Sequence, residues 1–144
     1  MKQKLLLTGA LAAGALALHA ADQKQQDTRP NILFILSDDH TSQTWGVYGG
    51  ILEQYAQTDN IRRIASEGAV LDNCFCTNSI STPSRAAILT GRYSHTNGVY
   101  TLEDTLDTAM PTFAKEFQKA GYHTGLVGKW HLKSQPQGFD YYSV

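Results

Sequence analysis

Asn31-Ile32-Leu33-Phe34-Ile35-Leu36-Ser37-Asp38-Asp39-His40 is the stretch on which the fold class turns. Ile32 to Leu36 is apolar at every position and bounded by polar residues on both sides. A run that short, without alternation, suits a strand buried on both faces, as in a parallel sheet. Asp38 and Asp39 then stand at the carboxyl end of the strand, where open α/β sheets place their ligands. Adjacent carboxylates repel each other unless positive charge lies beside them. A hard divalent cation such as Ca²⁺ or Mg²⁺ meets that need. A helix cap or a solvated turn is the plain alternative. His40 reads three ways: a ligand, a group supporting a ligand, or neither.

Working back from this run, residues 21–30 are a polar linker ending at Pro30. Residues 1–20 have the layout of an export signal: Lys2 and Lys4, an apolar run from Leu5 to Leu18, then the small residues Ala20 and Ala21. The apolar run is short for a bilayer span, and no Cys lies near the cleavage point to take a lipid. The expected destination is the periplasm or the exterior, with no membrane attachment after cleavage. Removal takes two lysines and no acids from a chain of formal net charge −1. No basic patch invites nucleic acid. The remaining composition, 42% hydrophobic and 17% charged over 144 residues, is that of an ordinary folded domain.

Working forward, residues 40–57 form a polar, glycine-bearing loop with room for a short helix. A helix is expected over 60–67, capped by Thr58 or Asp59 and stopped at Gly68. Residues 69–75 read as an extended segment. Cys74 and Cys76, the only cysteines, lie too close in sequence for an easy disulfide and read as small buried hydrophobes. A helix is expected to begin at Pro83 and stop near Gly91. Another starts at Pro111, with Phe113, Ala114, Phe117 and Ala120 as its apolar stripe. Tyr122 to Val127 reads as a strand, and Pro136 to Val144 as a loop. Helices alternating with apolar strands predict an α/β domain with a mostly parallel sheet.

Two further clusters carry chemistry. In Ser81-Thr82-Pro83-Ser84-Arg85 a polar turn enters a helix, whose free N–H groups suit an anion. Arg85 lies one turn beyond Ser81, so the two side chains share a side. A hydroxyl beside a guanidinium at a helix start suits sulfate or phosphate, while a simple capping motif is the alternative. In Gly128-Lys129-Trp130-His131, Lys129 and His131 share one face if the segment is extended. The lysine would neutralise a leaving oxygen and the histidine would move a proton. Trp130 would face the core.

The segment Ser81 to Gly91, read as Ser-Thr-Pro-Ser-Arg-Ala-Ala-Ile-Leu-Thr-Gly, resembles the active-site motif of the sulfatase family. That motif is Cys or Ser, any residue, Pro, Ser, Arg, three residues, an aliphatic, Thr, Gly. Arg29 to His40 resembles the opening strand and first metal ligands of the same family. Gly128 to Leu132 resembles its next motif. The resemblance implies an alkaline-phosphatase-like three-layer α/β/α fold, of which residues 31–144 are the N-terminal portion of the catalytic domain.

It also implies chemistry. Ser81 would be oxidised to formylglycine by an anaerobic radical-type maturing enzyme, because the family's serine form resembles bacterial enzymes matured that way. A hydrated aldehyde then attacks the sulfur of a sulfate ester, and collapse of the sulfated diol releases sulfate. An unmodified serine is a weak nucleophile with no second hydroxyl to drive that collapse. Asp38, Asp39 and the modified Ser81 would hold Ca²⁺, with Mg²⁺ as the alternative. Arg85 would steady the formylglycine, Lys129 would contact the sulfate, and His131 would bond the formylglycine hydroxyl. The expected substrates are sulfated sugars of glycosaminoglycans or mucins, glucosamine 6-sulfate among them. Later segments of the family supply an Asp-Asn or Asp-His pair, another histidine and another lysine, which are not found up to Val144. The chain by itself is therefore expected to be an inactive fragment that folds poorly. Two rival readings are a phosphodiesterase or phosphonate monoester hydrolase of the same superfamily, and a non-catalytic sulfated-glycan binding protein. The presence of Ser81, Arg85, Lys129 and His131 together argues against the second.

Overall fold

A computed structural model describes residues 27–56 and 58–144. The expected export signal and most of the linker lie outside the described residues. The chain divides into two compact units, Met1–Leu36 and Ser37–Val144.

In the first unit, residues 27–36 carry no regular secondary structure. The expected strand over Ile32–Leu36 is absent, and its side chains are exposed, Leu33 at 84%. A strand exists through its ladder to a neighbour. The sheet among the described residues has two strands, and neither is this run.

The second unit opens with three short 3-10 turns, Ser42–Thr44, Gly46–Tyr48 and Glu53–Tyr55. They fold the expected loop back on itself: Leu52 N–H donates to the Gln43 carbonyl at 2.9 Å. A side chain at Gly50 would collide with the Gln43 backbone there. Helix α1 follows over Asp59–Glu67, and its Arg62 pairs with Glu53 of the third turn. Thr58 precedes it without a side-chain capping bond, contrary to expectation. Residues 69–75 form no strand. Cys74 and Cys76 are free and exposed rather than buried, because no strand or helix covers the segment that carries them.

Helix α2 spans Ser81–Thr90 and begins two residues before Pro83. Proline is tolerated there because first-turn N–H groups have no intrahelical acceptor. Gly91 ends the helix at φ +64°, its N–H donating to the Ala87 carbonyl at 2.9 Å. Glycine takes this left-handed cap without the Cβ penalty. Thr82, Pro83, Ala86 and Ala87 make its buried face. A single turn, α3 (Ser94–Asn97), follows. Buried Asn97 ties it in by donating to the Arg92 carbonyl and accepting from Val99 N–H.

Helix α4 spans Phe113–Lys119, starting two residues after Pro111, with Thr112 accepting from Lys115 N–H as its cap. Strand β1, Gly125–Val127, is shorter than expected. It pairs in parallel with β2, Tyr141–Ser143, in a segment expected to be loop. Parallel neighbours need a long crossover, which residues 128–140 supply. The crossover leaves the carboxyl end of β1, the edge at which α/β sheets carry ligands.

The core is the meeting point of these pieces. Ala86, Val99, Leu106 and Leu132 are its buried residues, with Leu89, Met110 and Trp130 against them. Trp130 thus packs inward as expected, and its indole N–H donates to the Ser134 carbonyl at 2.7 Å. Leu132 is fully buried. That anchors the crossover on helix α2 and holds Lys129 beside the start of that helix. Among the described residues no helix is long and apolar enough to cross a membrane.

Candidate active site

Helix α2 sets the first two groups. Ser81 opens it and Arg85 lies one turn further, with only 12% of its side chain exposed. The guanidinium makes two long-range contacts. Its Nη1 donates to the Lys129 carbonyl at 2.6 Å, and its Nη2 to Asp38 Oδ1 at 3.2 Å. The Arg85 Nε is buried without a hydrogen-bond partner.

The crossover sets the third group. Lys129 follows Gly128, whose φ of +108° bends the chain out of β1. The Lys129 ammonium donates to Asp38 Oδ2 at 2.7 Å and to the Ser81 hydroxyl oxygen at 3.2 Å. Asp38, Ser81, Arg85 and Lys129 are therefore one hydrogen-bonded group. It joins three segments separated by 47 and 91 positions in the chain.

The electrostatics follow from the geometry. The Lys129 ammonium, and after it the Arg85 guanidinium, hold the Asp38 carboxyl below its ordinary value. Both donate to the ionised form and so favour it. The carboxylate in turn offsets charge on both cations, of which Lys129 reaches the Ser81 hydroxyl.

The remaining sequence candidates sit differently. Asp39 adjoins the group at φ +52°, a left-handed conformation outside glycine. Such a backbone costs on the order of 1 kcal/mol and persists only where its neighbours impose it. His131 takes φ +56° and Lys133 φ +58°, on either side of buried Leu132. The segment is not extended, so Lys129 and His131 do not share a face in the way a strand would give. His131 is not among the residues hydrogen-bonded to Ser81. It acts on Glu103, whose carboxyl is held low first by Lys133 and to a smaller extent by His131. Glu103 and its ion pair with Lys133 were not legible as a site feature; two opposite charges thirty positions apart give no local signal.

His40 also finds partners that the sequence left open. Trp45 Nε1–H donates to His40 Nδ1 at 2.5 Å, and His40 Nε2 lies 3.3 Å from the Thr44 hydroxyl. An aromatic and a threonine within one short turn of a histidine were the available hint.

The donor set can be tested against a hard cation. Asp38, Asp39 and Ser81 offer oxygen only, and Asp38 is ionised, which is the right kind of donor for Ca²⁺ or Mg²⁺. No group of three His, Cys, Asp or Glu side chains suited to a metal occurs among the described residues. The two carboxylates are part of the six to eight oxygens that calcium takes.

Comparison with known proteins gives this geometry its context. The sulfatase family model matches residues 30–143. The chain is 51% identical over 134 residues to the N-acetylglucosamine-6-O-sulfatase of Bacteroides thetaiotaomicron, covering 93% of this chain and 24% of that protein. It is 37% identical over 139 residues to the N-acetylgalactosamine-6-O-sulfatase of the same organism, covering 92% of this chain and 27% of the relative. The human N-acetylgalactosamine-6-sulfatase is 37% identical over 130 residues, covering 77% and 24%. Among solved structures, one in complex with its substrate D-glucosamine-2-N,6-O-disulfate matches with a TM-score of 0.76 and 52% identity, over 81% of this chain and 23% of the other. The chain thus spans about a quarter of the length of these relatives. The expected alkaline-phosphatase-like α/β fold agrees with that match and with the parallel β1–β2 pair. By its family match and its sequence identities, the chain belongs to the sulfatase family.

Proposed function

We propose that this chain carries the nucleophile-bearing part of an exported sulfuric ester hydrolase that acts on sulfated sugars. One observation carries the reading. The Lys129 ammonium bridges the Ser81 hydroxyl, at 3.2 Å, and Asp38, at 2.7 Å, while Arg85 holds both Asp38 and the Lys129 carbonyl. A hydroxyl that meets an ammonium, itself paired with a carboxylate that a guanidinium also holds, suits attack on a tetrahedral oxyanion. The names of the relatives support 6-O-sulfated amino sugars, with sulfated glucosamine first, as the substrate class.

Formylglycine made from Ser81 would supply a hydrated-aldehyde nucleophile, and Ca²⁺ held by Asp38, Asp39 and residue 81 would supply positive charge for a sulfate oxygen. The rest falls to the chain's own side chains. Arg85 orients Lys129 through its carbonyl and holds Asp38 ionised. The Lys129 ammonium contacts the sulfate and neutralises the leaving oxygen. His131, two residues along the crossover, is assigned the proton of the hydroxyl on residue 81. Conversion of Ser81 falls to an anaerobic radical-type maturing enzyme, and residues 1–20 direct the chain to the periplasm or beyond.

Mass spectrometry of the Ser81 peptide, from full-length protein made in its native host, tests the reading. Loss of two hydrogens at Ser81 is the expected result. An unchanged serine in active enzyme would sink the mechanism and favour a phosphodiesterase or phosphonate monoester hydrolase of the same superfamily.

A further inference from the structure

We infer that the Asp140 carboxylate is a latch that sets the register of β2 on β1, and so fixes where the crossover bearing Lys129 leaves the sheet.

The pair needs such a device. Each strand has three residues, Gly125–Val127 and Tyr141–Ser143. All of β2 is exposed, as are Gly125 and Val127, and Leu126 is half-buried. Register is strongly specified where one face of a strand is buried, and weakly where none is. Apolar packing therefore gives little resistance to a slip of β2 by one residue.

Asp140 stands just before β2 and grips the residue just before β1. Its Oδ2 accepts from Thr124 N–H at 2.7 Å, and its Oδ1 accepts from the side-chain amide of Gln118 on α4 at 3.2 Å. Its own N–H donates to the Thr124 carbonyl at 2.9 Å. The Thr124 hydroxyl donates to the Gly138 carbonyl at 2.7 Å. Gly138 takes φ +84°, and a side chain there would collide with the Lys115 backbone of α4. With Thr124 and Asp140 joined in this way, Gly125 falls opposite Tyr141 and Val127 opposite Ser143. At the far end Gly128 N–H donates to the Ser143 carbonyl at 2.9 Å, immediately before Lys129. A slip by one residue moves that carbonyl by about 3.3 Å and breaks the bond.

The latch depends on charge. Thr124 N–H first, and His123 to a smaller extent, hold the Asp140 carboxyl below its ordinary value. Bonds donated to a carboxylate favour its ionised form. The latch is therefore complete above the ordinary carboxylate value and loosens as pH falls through the lowered folded value. His123 Nδ1 lies 3.8 Å from Oδ2. The cations of α4 are engaged elsewhere: Lys119 pairs with Glu116, and the Lys115 ammonium donates to the Thr108 and Met110 carbonyls.

The test is hydrogen exchange in the full-length protein, read by mass spectrometry in peptides covering residues 125–128, residues 141–143 and α2. At neutral pH Asp140→Ala is expected to speed exchange in both strands and at Gly128 about tenfold, with α2 unchanged. Asp140→Asn offers one acceptor oxygen in place of two and is expected to speed the same amides about threefold. The difference between wild type and Asp140→Ala is expected to vanish as pH falls through the folded value of Asp140. Strand exchange in Asp140→Ala equal to wild type would overturn the inference. So would equal acceleration in the strands and in α2, which marks a global loss of stability, and so would a difference that persists in acid. Where Asp140→Ala fails to fold, Asp140→Asn decides the matter by the same criteria.

Discussion

Helix α2 and the apolar run Ile32–Leu36 carry equally clear sequence patterns, yet one is a capped, half-buried helix and the other has no regular structure. The difference lies in where each finds its hydrogen bonds. A helix pairs its own N–H and C=O groups four residues apart, so ten local residues and a left-handed Gly91 suffice. A strand must find a neighbour whose position no local residue specifies. Among the described residues the one ladder is β1 with β2. The functional group depends on the self-sufficient region: α2 carries Ser81 and Arg85, and the crossover packs Leu132 against the same core.

The strongest way to break this comparison is to attack the helix from inside. Ile88→Pro removes an intrahelical donor and drives the ring into the preceding turn, which costs about 3 kcal/mol or more. A urea midpoint that barely moves would show that α2 is not what holds the unit together.

A smaller effect is expected at the ion cluster on α2. The carboxyl of Asp38 lies below its ordinary value, so its contribution is complete above that value. The contribution is lost as pH falls through the lowered folded value. Urea midpoints measured down the acid range should therefore fall more steeply for wild type than for Asp38→Asn. Equal slopes would mean that Lys129 and Arg85 do not hold Asp38 in solution. The pair with Lys129 is 40% exposed on both sides, so solvent screens it and the proline effect stays larger.

The smallest effect is expected in the apolar run. Leu33 is 84% exposed, so Leu33→Ala should change the stability of this chain by less than about 0.5 kcal/mol. A loss of about 2–5 kcal/mol would instead mark a buried leucine, and the run would then behave as the sheet strand its sequence describes.

The helices were legible because their signals are local. Asp59–Glu67, Ser81–Thr90 and Phe113–Lys119 each fall within two residues of expectation. The misses share the opposite property. Strand β2 was read as loop because its pairing partner lies across a crossover. Cys74 and Cys76 were read as buried on a strand that does not form, and they are exposed. At the site, Ser81 and Arg85 were legible as a pair from helix periodicity. The approach of Asp38 and Lys129 rested on the order of the motifs rather than on any rule of spacing. His131 shows the limit of spacing arguments, since an i, i+2 relation gives a shared face only in extended chain, and His131 itself takes a left-handed φ of +56°.

Residue types and their local periodicity were enough to specify the helices, the acid pair, the helix-start hydroxyl and the family to which the motifs belong. These depend on chain neighbours alone. Which cation meets which carboxylate and which carbonyl Arg85 reaches depend on groups tens of residues apart. Those were settled by the packing of Leu132, Ala86 and Val99 around one small core, because the burial of apolar side chains is what brings distant polar groups within hydrogen-bonding reach.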